Sequence, residues 1–260
     1  MNYTSEFRDL INNIGNEQIY IGSGNINSKI LIVGKEAGID KKNIMNRNNV
    51  HEERMMNDFN SNSTKWKHNV ENDTQPSDII WDGIIEHSNP LFPFKGKRLL
   101  DEKAGHTWRK YQVLHDYIYK GEINSDISSE YTFHNNFFLT ELNSSPAGKS
   151  CDADKESIPG RIELLKESEF FQNFPIVVLA CNEYIGIRDG INQIEDTFKN
   201  VKYHEVKRFN KQPLYIHIDT EKPKLVVHTW QLSSFIRHDL LNGLARLIVD
   251  FSGKYNIDLR

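Results

Sequence analysis

Four short stretches of this chain are nearly unbroken apolar runs: Ile30–Val33, Phe137–Thr140, Ile176–Ala180 and Leu225–His228. A strand half exposed to water alternates polar and apolar side chains. A strand covered on both faces has no polar face to present, so it reads as a continuous hydrophobic run. The β-branched content of these runs, and the polar groups that end them, favour strands over buried helical turns. They predict the central parallel strands of an α/β domain. Each also stops abruptly on groups that carry chemistry. Lys35 and Glu36 follow the first run, Thr140, Glu141 and Asn143 close the second, and His228 ends the last. An open α/β sheet binds its ligand at the carboxyl edge of its parallel strands, so these residues form the candidate site.

Helical patterns lie between the runs. Ser5–Ile14 reads as a short amphipathic helix. Thr107 is placed to cap a helix carrying Trp108, Tyr111, Leu114 and Ile118, and Arg161–Phe170 is a further candidate. In the last helix Ile236, Leu240, Leu244, Ile248 and Phe251 form one face, with Ser233 or Ser234 as its expected cap and Gly253 as its expected end. VKYHEVKRF and PLYIHID suggest two more strands, and DTEKPK turns the chain into the last central one. Residues 39–78 are rich in Asn, Lys, Glu and Ser, and are expected to leave the sheet as a polar insertion or lid with some helix around Val50–Asn60.

The 260 residues are read as a single α/β domain, 1–260, and 38% hydrophobic content is enough for a full core. A formal charge of −4 gives no long-range attraction for nucleic acid, although a local basic face would suffice for a compact enzyme. No run approaches the roughly 18 apolar residues of a membrane span, and the N-terminus lacks the hydrophobic stretch of a signal peptide, so a cytoplasmic protein is expected. Two cysteines, Cys151 and Cys181, cannot supply a disulfide framework, a four-thiolate metal site or an iron–sulfur cluster. No metal or cofactor is expected, and the histidines have no zinc-ligand spacing. IVGKEAG lacks the spacing of a phosphate-binding loop.

A carboxylate orients water, an Asn offers one donor and one acceptor to the edge of a base, and a His donates to an oxygen that gains charge as a bond breaks. Glu36, Asn143 and His228 together resemble the uracil-DNA glycosylase superfamily. One signature of that family is a strand followed by Gly-Gln-Asp-Pro-Tyr, and here the stretch is Gly34-Lys35-Glu36-Ala37-Gly38. Its closing signature, His-Pro-Ser-Pro-Leu-Ser, is matched by His228-Thr229-Trp230-Gln231-Leu232-Ser233 at His228, Leu232 and Ser233. Another branch carries Gly-Glu-Ala-Pro-Gly and a downstream Pro-Phe-x-Gly, which Pro93-Phe94-Lys95-Gly96 echoes. Ala37 stands where the loop proline is usual, and Thr229-Trp230 replace Pro-Ser.

The resemblance implies a three-layer αβα sandwich around a central, mostly parallel four-stranded sheet. It also implies hydrolysis of the N-glycosidic bond of a damaged or deaminated base in DNA, with the base flipped into the pocket. Glu36 and His228 would be catalytic, while Asn143 and Phe94 would recognise the base. Lys35, Lys149, Ser150, Trp230, Ser233 and Ser234 would contact DNA. Two alternatives stay open: a catalytically silent relative that binds nucleic acid or a protein, and an unrelated α/β nucleoside or nucleotide hydrolase.

Overall fold

The computed structural model describes residues 1–38, 57, 60–79, 89–91, 106–121, 131–147, 153–232 and 236–259. Along them run α1 (Ser5–Ile14), β1 (Ser23–Gly24), β2 (Ile30–Gly34), α2 (Asn62–Glu71) and α3 (His106–Lys120). Next come β3 (Phe137–Glu141), α4 (Ile158–Glu167), α5 (Glu169–Gln172) and β4 (Ile176–Leu179). A two-stranded ribbon of β5 (Ile187–Arg188) and β6 (Ile191–Asn192) leads into α6 (Gln193–Thr197). The chain closes with β7 (Lys202–Phe209), β8 (Gln212–Asp219), β9 (Lys224–His228) and α7 (His238–Tyr255).

These elements make a mixed α/β fold in which helices flank a central sheet. Among the described residues the sheet has seven strands in the order β1-β3-β2-β4-β9-β8-β7. Its centre, β3-β2-β4-β9, is parallel and consists of the four runs expected from sequence. The β7–β8 hairpin extends it antiparallel from β9, and β1 adds an antiparallel edge on β3. The larger strand count comes from these flanking pieces.

The continuous hydrophobicity of the central strands follows from their two covered faces. Leu31, Val33, Phe138, Val177, Leu179 and Val226 enter one core with α1, α2, α4, α5 and α6. Ile30, Ile32, Phe137, Ile176, Val178, Leu225 and Val227 enter the other, beneath α3 and α7. An aromatic cluster fills the first core: Phe7 meets Trp66 and Phe170 edge-on at 5.0 and 4.8 Å, and Phe170 meets Phe138 at 5.2 Å.

Local chemistry sets several helix ends. Thr4 caps α1 by accepting from the Phe7 N–H at 3.3 Å. Thr4→Ala is expected to cost about 1 kcal/mol, read as a lower urea midpoint at unchanged slope. The last helix differs from expectation at both ends. It begins at His238, after Arg237, and runs through Gly253 to stop on Asn256 in the left-handed region (φ 55°). The helix expected over Arg161–Phe170 starts at Ile158 with Pro159 in its first turn, and breaks at Ser168. Within the polar stretch 39–78, residues 39–56, 58 and 59 lie outside the described residues, and with them nearly all of the helix expected around Val50–Asn60. Asn62–Glu71 is a helix whose Trp66 is fully buried and donates to Gly22 O at 2.9 Å.

Among the described residues no helix is long and apolar enough to cross a membrane. No group of three or more His, Cys, Asp or Glu gathers there as a metal site either.

Candidate functional site

The chain leaves β2 toward β3 on one side and, after β4, moves on toward β9 on the other. Adjacent strands whose connections diverge in this way open a crevice at their carboxyl ends. Here that crevice lies between β2 and β4. Two zipped pairs of loops form its walls. On one side Leu142 N donates to Gly34 O at 2.9 Å, Asn143 N to Lys35 O at 2.7 Å and Ala147 N to Ala37 O at 3.0 Å. On the other, Thr229 N donates to Leu179 O at 2.9 Å and Asn182 N to Thr229 O at 3.1 Å.

Three contacts span the crevice. Tyr184 Oη donates to Glu36 Oε2 at 2.5 Å, Lys35 Nζ pairs with Glu183 Oε1 at 2.7 Å, and Lys35 N donates to Gln231 Oε1 at 3.2 Å. The Lys35 ammonium also lies 4.6 Å from the centre of the Tyr184 ring, on whose face a cation is attracted by the π electrons. Glu36 and Lys35 are both buried. Lys35 is thus held by Glu183 inside the crevice wall. Burial and the Glu36 carboxylate raise the Tyr184 phenol far above its ordinary value, so it remains a donor at any physiological pH.

His228 ends β9 two strands from β2, roughly 10 Å away at the backbone given a strand spacing near 4.8 Å. Its Nε2 lies 2.8 Å from Asn182 O, which can only accept, so Nε2 carries the proton. Burial pushes the imidazole below its usual range, although the Asn182 bond acts the other way, so the ring is neutral at pH 7. The Tyr215 ring stacks beside it at 5.8 Å.

Asn143 is fully buried beside the same wall, and its carbonyl is spent within its own loop while its amino group also interacts with the Tyr184 hydroxyl. Nδ2 donates to Asp154 O at 2.6 Å, and Oδ1 accepts from Ser157 Oγ at 2.7 Å and from Ser145 N at 3.0 Å. Trp230 stands on the loop after β9, 37% exposed. Phe94, Lys149, Ser150, Ser233 and Ser234 lie outside the described residues, as does Cys151. Cys181 is buried and reduced, and desolvation holds its thiol well above the ordinary range.

The structure adds residues that strand-end reading leaves without a role. Glu141, at the end of β3, pairs in register with Gly34. Its Oε2 is buried and has no hydrogen-bond partner among the described residues. Burial first, and then the Glu36 carboxylate, push this carboxyl up to about 8, against the pull of Arg161. Arg161, buried on α4, gives Nε to Glu141 O at 3.1 Å, Nη2 to Thr140 Oγ1 at 2.7 Å and Nη1 to Tyr20 O. Glu141 follows a predicted run and was legible as a strand-end group. Tyr184 follows β4 by the same rule, five residues after its end.

Comparison with protein-family models, with curated proteins and with solved structures returns no match.

Proposed function

We propose that this chain is a divergent member of the uracil-DNA glycosylase superfamily, a three-layer αβα sandwich that hydrolyses the N-glycosidic bond of a damaged or deaminated base in DNA. The observation that carries this reading is the buried Glu36 carboxylate at the end of β2, held by Tyr184 Oη at 2.5 Å across the crevice between diverging strands. A carboxylate fixed there can align a water and offset positive charge that develops on the sugar. The second motif loop, which starts at His228, is tied to the first by the bond from Lys35 N to Gln231. A neutral His228 meets the departing base by exchanging Asn182 O for the base oxygen, one acceptor for another. Trp230, exposed beside this loop, is available to DNA at the rim.

The test is abasic-site formation on single- and double-stranded oligonucleotides that carry uracil, hypoxanthine or oxidised pyrimidines. Glu36→Gln keeps the Tyr184 hydrogen bond but removes the charge, and turnover is expected to fall about a hundredfold. Turnover that survives Glu36→Gln unchanged overturns the assignment of Glu36. One observation favours the silent-binder reading: the Asn143 amide oxygen is consumed by its own loop. Absence of turnover on every oligonucleotide, with retained binding, selects that alternative.

A further inference from the structure

We propose that Glu141, rather than Asn143, reads the ligand, offering one donor and one acceptor to the edge of a planar heterocycle such as a pyrimidine lactam. The inference rests on the base-binding reading of the crevice and assigns its specificity.

Asn143 cannot offer a donor and an acceptor together without dismantling its loop, because its Oδ1 already accepts from Ser157 Oγ and Ser145 N, and its Nδ2 donates to Asp154 O and interacts with the Tyr184 hydroxyl. Glu141 presents the opposite case. Native proteins rarely leave a buried side-chain oxygen unpaired, since desolvating it without a partner costs about 1–3 kcal/mol. Glu141 Oε2 is such an atom among the described residues. The fold also makes room for it. A Cβ built on Gly34 would overlap the Glu141 carboxyl, so only glycine at this register position lets the group lie against β2 beside Glu36.

Ionisable groups from every neighbouring element lie near that carboxyl, and the two charged ones, Glu36 and Arg161, bear on what it offers. Glu36 faces it from the end of β2, Arg161 from α4, Tyr111 from α3 and Cys181 from beyond β4. Burial and Glu36 outweigh Arg161, and the proton stays on until about pH 8. A neutral carboxylic acid carries a hydroxyl donor and a carbonyl acceptor side by side, the same pair as an amide, and complements the N–H and C=O of a lactam edge. Once ionised it is acceptor-only, and that match is lost.

The experiment is calorimetric titration of the full chain with free uracil at pH 7 and pH 9, alongside turnover on the oligonucleotide panel. Wild-type affinity is expected to fall about tenfold over this interval, as one pH unit beyond a titration near 8 requires. Glu141→Gln, which keeps a donor and an acceptor at any pH, is expected to stay within about threefold of wild type at pH 7. It should lose little at pH 9, and it also controls for ionisation of uracil itself. Glu141→Ala is expected to bind at least about tenfold more weakly at both pH values. Near-ultraviolet circular dichroism verifies that each variant is folded.

Uracil affinity unmoved in Glu141→Ala, or a Gln variant as pH-sensitive as the wild type, overturns the role of Glu141 and leaves base binding standing. Abasic-site formation with unchanged KM in Glu141→Ala does the same. No uracil binding together with no turnover overturns both.

Discussion

Arg161→Met is expected to lose about 3 kcal/mol of unfolding free energy, among the largest effects of any single substitution in this chain. The guanidinium is buried and joins three acceptors from separate parts of the fold: Tyr20 O before β1, and Thr140 Oγ1 and Glu141 O at the end of β3. Methionine fills similar space and removes the cost of burying a charge. It also strands the three acceptors, each worth roughly 1 kcal/mol or more when left unpaired. Thr140 Oγ1 keeps its own bond to Ile21 O at 2.8 Å, which limits the loss at that atom. Arg161 lines an open groove of about 850 Å³ between α1 and α4, so water can reach part of the site and hold the total below the simple sum. Urea denaturation at pH 7 is the measurement. A change under 1 kcal/mol would show that the network is ornamental to stability.

Much of this fold was legible because burial leaves a mark on composition. The four central strands had to be apolar on both faces, and they stood out for that reason. The β7–β8 hairpin was marked by its two runs and the DTEKPK turn. What escaped had no side-chain signature. β1 is two residues, Ser23 and Gly24, preceded by Gly22 at φ 144° and ending on Gly24 at φ 103°, and its place is set by the backbone of β3. Gly253 did not end the last helix, because a glycine inside a well-packed helix costs only about 1 kcal/mol and Asn256 supplies the left-handed turn.

The site was legible to the same depth. Strand-end reading reached Lys35, Glu36, Glu141, Asn143 and His228, because position in a parallel sheet dictates where polar groups gather. It could not apportion roles among them. Asn143 and Glu141 are two residues apart, and only the loop that closes over Asn143 through Ser145, Asp154 and Ser157 shows which of them is already satisfied. The Tyr184 bond to Glu36 joins residues 148 apart in sequence, a pairing that no local pattern encodes.

Glu141→Gln is expected to make the protein progressively more stable than the wild type as pH rises from about 5 to 8, by on the order of 3 kcal/mol at the upper end. The sign follows from where the proton sits. An unfolded Glu titrates near 4.5, whereas Glu141, with its Oε2 buried, keeps its proton to about 8. Between those values the native state binds more protons than the unfolded state, so stability falls with rising pH, and above about 8 the difference levels off. Glutamine mimics the protonated side chain and has nothing to release, so the two proteins should be nearly equal at pH 5. Taking the difference between them cancels other buried groups. His134 is one, stacked on Phe133 at 4.0 Å and pushed down to about 3 by burial; it weakens the fold only as acid rises through the ordinary histidine range. Arg161 supplies an internal check. Its charge lowers the Glu141 titration, so in an Arg161→Met background the wild-type curve should level off at still higher pH. Thermal unfolding of the four proteins of this cycle at half-unit pH intervals measures both effects. A difference between wild type and Glu141→Gln that stays flat across the interval would mean that Glu141 ionises normally, and would remove the neutral acid from the end of β3.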